Sequence, residues 1–264
     1  MTDTSQAILF VYGECGKFVE EDRYNDWYDN EHAPLRLTVP GFLSASRYKA
    51  LDTPPKLGPK WLAIYDMTSK AIMQSQPYLE LRFRASENER QVVANLEMLN
   101  RRVYTLVHAS GVGASQGGVE GNNAARFSYV VHMRVLNPED KKKAQNEKNR
   151  AGQEARFIDW YTSTRIPLLA VVPKYIRSRV FALAEHVELA GRAATSSTPV
   201  YNFLAIHEWD AEGSEVTASS EFKMSMTAAE PWQVEGGEAG VVEMEDRMFG
   251  LYKDFLDGLR VGGL

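Results

Sequence analysis

The chain has 264 residues, a net charge of −5, 44% hydrophobic and 25% charged residues, an ordinary globular composition. The acidic balance offers no basic field for nucleic acid or an anionic membrane, and no apolar run reaches the roughly 20 residues of a membrane span. A single cysteine, Cys15, excludes an internal disulfide and points to a reducing compartment. The segment Met1–Gln6 is polar, so no signal peptide is expected and the chain reads as cytoplasmic.

Ala7–Glu14 is short and almost wholly apolar, which suits a strand buried on both faces. Glu20 to about Arg36 reads as a helix, with acidic residues in its first turn. Along it Tyr24, Tyr28 and His32 form one stripe, and Trp27, Glu31 and Leu35 form the next. Pro34 is expected to kink or end the helix just after His32. Pro40-Gly41 turns the chain into a second strand, Phe42–Leu51, and the proline-rich Asp52–Lys60 is a loop. Trp61–Met67 is a third strand, with Trp61, Ala63 and Tyr65 on one face and Leu62, Ile64 and Asp66 on the other. Helices over Ser69–Gln76 and Tyr78–Leu99, broken at Pro77, lead to a fourth strand, Arg102–His108. The order is β-α-β-β-α-β, the ferredoxin-like unit.

Residues 111–124, rich in glycine, serine and asparagine, read as a linker. The pattern then restarts. At one constant offset Asp26, Trp27, Tyr28, Pro34 and Pro40 match Asp159, Trp160, Tyr161, Pro167 and Pro173. The offset grows towards the end of the chain, where Leu62-Ala63-Ile64 answers Leu204-Ala205-Ile206 and Arg102 answers Arg247. Strands over Phe127–Leu136, Tyr175–Glu185, Tyr201–Trp209 and Arg247–Leu251, with helices over Glu154–Leu169 and Glu221–Glu245, complete the second copy. Pro138–Arg150 is a helix-capable insertion. The expected organisation is a first unit over 1–110, a linker over 111–124 and a second, degenerate unit over 125–264. The second copy lacks three residues of the first: Asp29, Glu31 and His32 become Thr162, Thr164 and Arg165.

The run Asn25-Asp26-Trp27-Tyr28-Asp29-Asn30-Glu31-His32, with Pro34, Arg36 and Val39-Pro40-Gly41-Phe42, resembles the EthD-like group of the dimeric α+β barrel superfamily. The resemblance covers nearly the whole chain twice, closely in the first copy and loosely in the second. It implies an α+β fold: two ferredoxin-like βαββαβ units in one chain forming a pseudo-dimeric α+β barrel. Strands that are apolar on both faces fit this, because each sheet needs helices on one face and a partner sheet on the other. The superfamily includes polyketide cyclases, isomerases, cofactor-free monooxygenases and haem-dependent enzymes, so fold alone does not give function. Its ligand pockets generally lie between sheet and helices of one unit. A further homodimer through exposed edges stays open.

His32 is the first candidate for chemistry, because imidazole titrates near neutrality and works as acid or base. Tyr28, one turn earlier, is expected to bond a ligand oxygen, and Glu31 or Asp29 to orient the imidazole. A histidine near a helix C-terminus also serves as a structural hydrogen-bonder. Its absence from the second copy favours function, whereas Asp26 and Trp27, kept in both, read as architecture. Tyr12, Tyr24, Tyr48, Trp61, Tyr65, Tyr104, His132 and His207 are candidate ligand contacts; strand aromatics are equally the material of a core. Tyr12 and Tyr65 are expected to share a cavity with His32, or His132 and His207 to form a second pocket. No metal-ligand spacing, phosphate-binding glycine loop or nucleophile elbow is present.

The expected activity is a cofactor-independent lyase or isomerase of secondary metabolism, of cyclase, dehydratase or decarboxylase type. It would act by proton transfer on a hydrophobic, oxygenated aromatic or polyketide-like metabolite, with no cofactor. The alternatives are a non-catalytic binder of a hydrophobic metabolite, and a haem- or oxygen-dependent oxidoreductase with His32, His132 or His207 as axial ligand.

Overall fold

A computed structural model describes residues 5–52, 58–112, 124–136, 143–189, 200–227 and 241–256. The first unit comprises β1 (Ala7–Glu14), α1 (Glu21–Trp27), a π-helical turn (Tyr28–His32), α2 (Ala33–Leu37), β2 (Phe42–Ala50) and β3 (Trp61–Met67). A short 3₁₀ turn (Lys70–Gln74), α3 (Gln76–Arg84), α4 (Glu87–Asn95) and β4 (Met98–Gly111) complete it. The second unit runs β5 (Phe127–Leu136), α5 (Lys143–Trp160), a second π-helical turn (Tyr161–Arg165), α6 (Ile166–Ala170) and β6 (Tyr175–Leu189). It ends with β7 (Phe203–Trp209), α7 (Gly213–Ala218), α8 (Ser220–Met226) and β8 (Val241–Asp254).

The strands close into one antiparallel barrel in the order β1-β3-β2-β8-β5-β7-β6-β4. Each unit contributes a four-stranded ferredoxin-like sheet. The sheets join at two seams, β2 with β8 and β4 with β6. The second seam is long, pairing Leu99–Gly111 with Arg177–Leu189. Closure follows from the strand sequences. In β1, Ala7, Leu9 and Val11 pack under the helices, while Ile8, Phe10 and Tyr12 point into the barrel. The barrel interior is filled by side chains of both units, among them Phe10, Ile64, Tyr104, Phe181, Ile206 and Phe249. An eight-stranded barrel is narrow enough for side chains to fill it. One end is closed by ions: Arg179 binds Asp66 of the first sheet at 2.5 Å and Glu208 of the second at 3.2 Å, and Arg177 grips Glu208 at 2.6 Å.

Both aromatic helices carry their π-helical turn directly before a proline. Pro34 and Pro167 have no N–H and would clash with the carbonyl one turn back. The preceding residues take a wider turn instead: Ala33 N–H donates to the Tyr28 carbonyl and Ile166 N–H to that of Tyr161. The expected kink is thus an extra residue in the helix. Gly41 then supplies the positive φ of 99° that turns the chain into β2, and Lys174 takes φ of 63° at the matching place in the second unit.

Other sequence expectations shift. Pro77 does not break a helix; it sits in the first turn of α3, where an amide hydrogen is not needed. The break falls at Ala85-Ser86, and β4 begins at Met98, earlier than Arg102. The insertion from Lys143 and the second aromatic helix form one helix, α5. Residues 241–245 are strand, whereas Pro231-Trp232 lie outside the described residues. Ser110 and Gly111 belong to β4 and pair with Ser178 and Arg177 of β6, and 113–123 of the expected linker lie outside the described residues. No helix among the described residues is long and apolar enough to cross a membrane.

Arg47 on β2 locks the first seam. It is 1% exposed, and its guanidinium lies within 4.5 to 5.2 Å of the ring centroids of Tyr24, Tyr28, Trp61 and Tyr252. Tyr252 comes from β8 of the other unit. The charge is matched by Asp29, and a second bond of 2.8 Å goes to Asn25. Lys253 of β8 also reaches Asp29, at 3.3 Å. Removing one member of a buried, hydrogen-bonded ion pair is strongly destabilising. Arg47→Met should therefore lower stability by about 3 kcal/mol in urea unfolding. Arg47→Lys should recover little of this, because one ammonium cannot serve Asp29 and Asn25 while lying flat among rings. A change below about 1 kcal/mol for Arg47→Met would remove this clamp from the account.

Candidate functional site

The first unit holds a cleft of about 630 Å³ between its helices and the β4–β6 seam. Tyr78, Leu81 and Val93 of α3 and α4, with Met73, supply apolar wall. Arg36 of α2, Glu89 of α4 and Arg101 of β4 supply charge. Glu185 and Val187 belong to β6, so the second unit completes the wall.

His32 lies behind Glu89 rather than on the cleft wall. It is 4% exposed, with its ring centroid 4.3 Å from that of Trp27 and 4.8 Å from that of Tyr28. The π-helical turn brings the rings of Trp27 and His32, five residues apart, into contact with their planes 53° apart. His32 Nδ1 is 3.1 Å from Glu89 Oε1. Burial holds the imidazole well below its ordinary pKa, and the charges of Arg36, Arg101 and Arg47 act in the same direction. A neutral ring facing an ionised carboxylate must donate to it, so Nδ1 carries the proton and Nε2 is the acceptor. Burial raises the Glu89 carboxyl, and Arg36 partly opposes this. Glu89 Oε2 is buried with no hydrogen-bond partner among the described residues, on a residue that lines the cleft. Arg36 fixes the end of the π-helical turn by donating to the His32 carbonyl at 2.8 Å.

The orienting acid is thus Glu89, and Glu31 is not: its carboxylate accepts from Asn88 at 3.4 Å. Tyr28 accepts from Tyr65 at 3.1 Å, so these two pair with each other beneath the helices. Tyr65 reaches the cleft only through Phe42, which stacks on Tyr78. Tyr24 and Trp61 surround Arg47. Tyr12, Tyr48, Tyr104 and His132 point to the opposite face of the sheet, into the barrel interior. There Tyr12 bonds His132 at 2.8 Å across the two units. The shared cavity expected for Tyr12, Tyr65 and His32 is therefore not formed. His207 lies on the helix side of the second sheet, bonded to Tyr161 at 2.9 Å and Ser178 at 2.6 Å. His132 and His207 are consequently on opposite faces of one sheet and form no common pocket.

Glu89, Arg36 and Arg101 were not candidates from sequence. Glu89 is far from His32 in the chain, and its local setting, three residues after the N-cap Ser86, reads as helix capping. Cys15 is buried, and desolvation with Glu14 and Glu21 nearby pushes its thiol up to about 12, which removes it as a nucleophile.

No protein-family model matches the chain, and no curated protein matches it. Solved structures do. An anthrone oxidase-like protein aligns over 96% of this chain and 93% of its own, at 13% identity and a TM-score of 0.50. The chain has the dimeric α+β barrel fold. A chlorite dismutase variant from Candidatus Nitrospira defluvii aligns over 98% of this chain and 94% of its own, at 9% identity and TM-score 0.47. An EthD family protein from Bacillus halodurans aligns over 38% of this chain and 95% of its own, at 12% identity and TM-score 0.28.

Haem does not fit the histidines of this α+β barrel considered for it. His32 is wedged behind Glu89, and His132 and His207 each bond a buried tyrosine. Among the described residues no group of His, Cys, Asp or Glu is arranged to hold a metal.

His32, His132 and His207 are all held below the ordinary imidazole pKa by burial, His207 at about 3. In the folded barrel they stay neutral, whereas in the unfolded chain they protonate below about pH 6.5. The unfolded state then binds more protons, so stability falls as pH falls, by roughly 1.4 kcal/mol per pH unit for each such histidine. Glu89, with its raised pKa, acts in the opposite sense in the carboxylate range. Urea midpoints should drop steeply from pH 7 to 5.5, and His207→Phe should flatten the slope by about one histidine's share. A pH-independent midpoint would contradict the buried neutral assignment.

Proposed function

We propose that the protein is an enzyme that moves a proton on a hydrophobic, oxygenated small molecule held in the first-unit cleft. Glu89 is the group that meets the substrate, and His32 positions it. The observation that carries this reading is the pair itself. One carboxylate oxygen is bound by a buried neutral histidine, and the other has no hydrogen-bond partner among the described residues, on a residue lining the cleft.

The chemistry follows from the pKa of Glu89. A carboxylate raised by burial is a stronger base than one in water and returns the proton more readily at neutral pH. With a carbonyl compound, the C–H bond beside the carbonyl breaks and its electron pair moves onto the oxygen as an enolate. The proton passes to Glu89. Return of that proton to another carbon is an isomerisation, and its return with loss of a β-hydroxyl as water is a dehydration. The positions Arg36 and Arg101 on the cleft wall suit an oxygen that gains charge in this step. This agrees with the expected lyase or isomerase class and replaces His32 by Glu89 as the contacting base. The similarity to an anthrone oxidase-like protein makes anthrones, whose ring CH₂ is acidified by the ketone, a sensible first probe. It also favours a second reading in which the enolate passes electrons on to dioxygen; the first proton transfer is common to both.

Exchange of acidic C–H for deuterium in D₂O tests the shared step directly. Across a panel of anthrones and aromatic β-dicarbonyl compounds, the native protein should accelerate exchange for at least one. Glu89→Gln should lower that rate by about 10²-fold or more with the fold intact. His32→Leu removes the Nδ1 donor, so it should raise the Glu89 pKa and move the acid limb of the pH profile upward. His32→Asn, which can place an N–H where Nδ1 was, should move it back. Unchanged exchange in a folded Glu89→Gln variant would sink the proposal.

A further inference from the structure

The two units place different charges at matching positions. Val11 of β1 pairs with Arg101, and Val131 of β5 pairs with Asp246, so Arg101 and Asp246 occupy matching positions on β4 and β8. His32 is matched by Arg165 in the same way, at the end of its π-helical turn. In the second unit the two substitutions meet at one tyrosine. Arg165 and Asp246 both act on Tyr129, with opposite sign, and the Arg165 guanidinium is pinned on α8 through the Ser225 carbonyl and Met226 Sδ. In the first unit no acidic partner is bonded to Arg101 among the described residues. Its Nε is buried without a hydrogen-bond partner among the described residues, and its guanidinium lies 5.8 Å from the ring of Tyr78, a cleft residue. The cleft carries Arg36, Arg82, Arg90 and Arg101 against only Glu89 and Glu185. Arg90 pairs with Glu87 and Arg36 donates to the His32 carbonyl, which leaves Arg101 and the exposed Arg82; a guanidinium beside a low-dielectric apolar wall attracts an anion more strongly than it would in water.

We infer that the substrate class of this cleft is a planar apolar molecule bearing a fixed negative charge, with the anionic group on Arg101 and the ring system against Tyr78. The inference rests on the cleft being the site and adds the charge of its ligand. Arg101 is then the specificity-determining residue. It reads a carboxylate, sulfonate or phenolate that an isosteric neutral compound lacks, and Val187 of β6, its register partner, gives the ring an apolar floor. A guanidinium left unpaired by a neutral ligand is what makes such discrimination large.

A matched pair of fluorescent probes tests this without any turnover. The first is 8-anilinonaphthalene-1-sulfonate, and the second is N-phenyl-1-naphthylamine, the same ring system without the sulfonate. The native protein should bind the sulfonate at least about tenfold more tightly. Arg101→Met should bring the two within about twofold while keeping the affinity for the neutral probe. Arg84→Met is the control, since Arg84 is exposed and pairs with Glu80 on the outer face of α3; it should keep the native preference. Near-ultraviolet circular dichroism confirms that each variant is folded, and Arg101→Gln serves if Arg101→Met is not. Equal affinity of the native protein for the two probes, or a preference that survives loss of Arg101, overturns the anion assignment alone. That result leaves the proton-transfer reading to its exchange test. Failure of the native protein to bind either probe overturns the cleft as a site for an aromatic ligand.

Discussion

The constraint on which this molecule depends is that every strand has two faces to bury. A ferredoxin-like sheet covers one face with its own helices, and only a second sheet can cover the other. Duplication on one chain supplies that second sheet at a fixed, high local concentration. The barrel interior is then a core in which Phe10, Tyr104, Phe181 and Phe249 interlock, with Asp66, Arg179 and Glu208 sealing one end. With side chains of both units packed in the interior, the first unit's cleft lies on the helix side. It does so over the β4–β6 seam, where each unit supplies part of the wall.

The differences between the copies separate architecture from chemistry more finely than the bare replacements suggest. Asp29 becomes Thr162, and the reason is structural: Asp29 neutralises Arg47, and Val180 stands where a second Arg47 would be. Arg47 clamps the β2–β8 seam, and the longer β4–β6 seam has pairing along its length instead. His32 to Arg165 is of another kind. His32 faces Glu89 at a cleft, whereas Arg165 turns onto the backbone and sulfur of α8. One unit has kept an acid and a base bonded to each other beside a cleft, and in the other the matching arginine is held by α8.

Much of the fold was legible from residues alone. The repeat anchored at Asp26/Asp159 and Pro34/Pro167, the two-faced apolar strands and the alternation of Trp61–Met67 all reach the structure as read. The two prolines were legible as interruptions, but not as π-helical turns, because the wider turn depends on helix continuing into α2 and α6. The candidate site was half legible. His32 stood out by its loss from the second copy. Its partner Glu89 did not, since nothing local links α4 to the end of α1, and an acid near a helix start has a capping explanation. Strand aromatics such as Tyr12 and Tyr65 were uninformative about shared cavities. Which face each strand turns to the helices is set by how the two sheets pair, and a single strand does not carry that information.

The central claim is that the first unit's cleft, backed by Glu89 and His32, is where this barrel binds its ligand. A crystal structure of the complex with 8-anilinonaphthalene-1-sulfonate tests it most directly. The account predicts the ring system between α3, α4 and the β4–β6 seam, against Tyr78, with Glu89 Oε2 facing it. Density for the ligand inside the barrel beside Tyr12 and His132, or under α8 of the second unit, would contradict it.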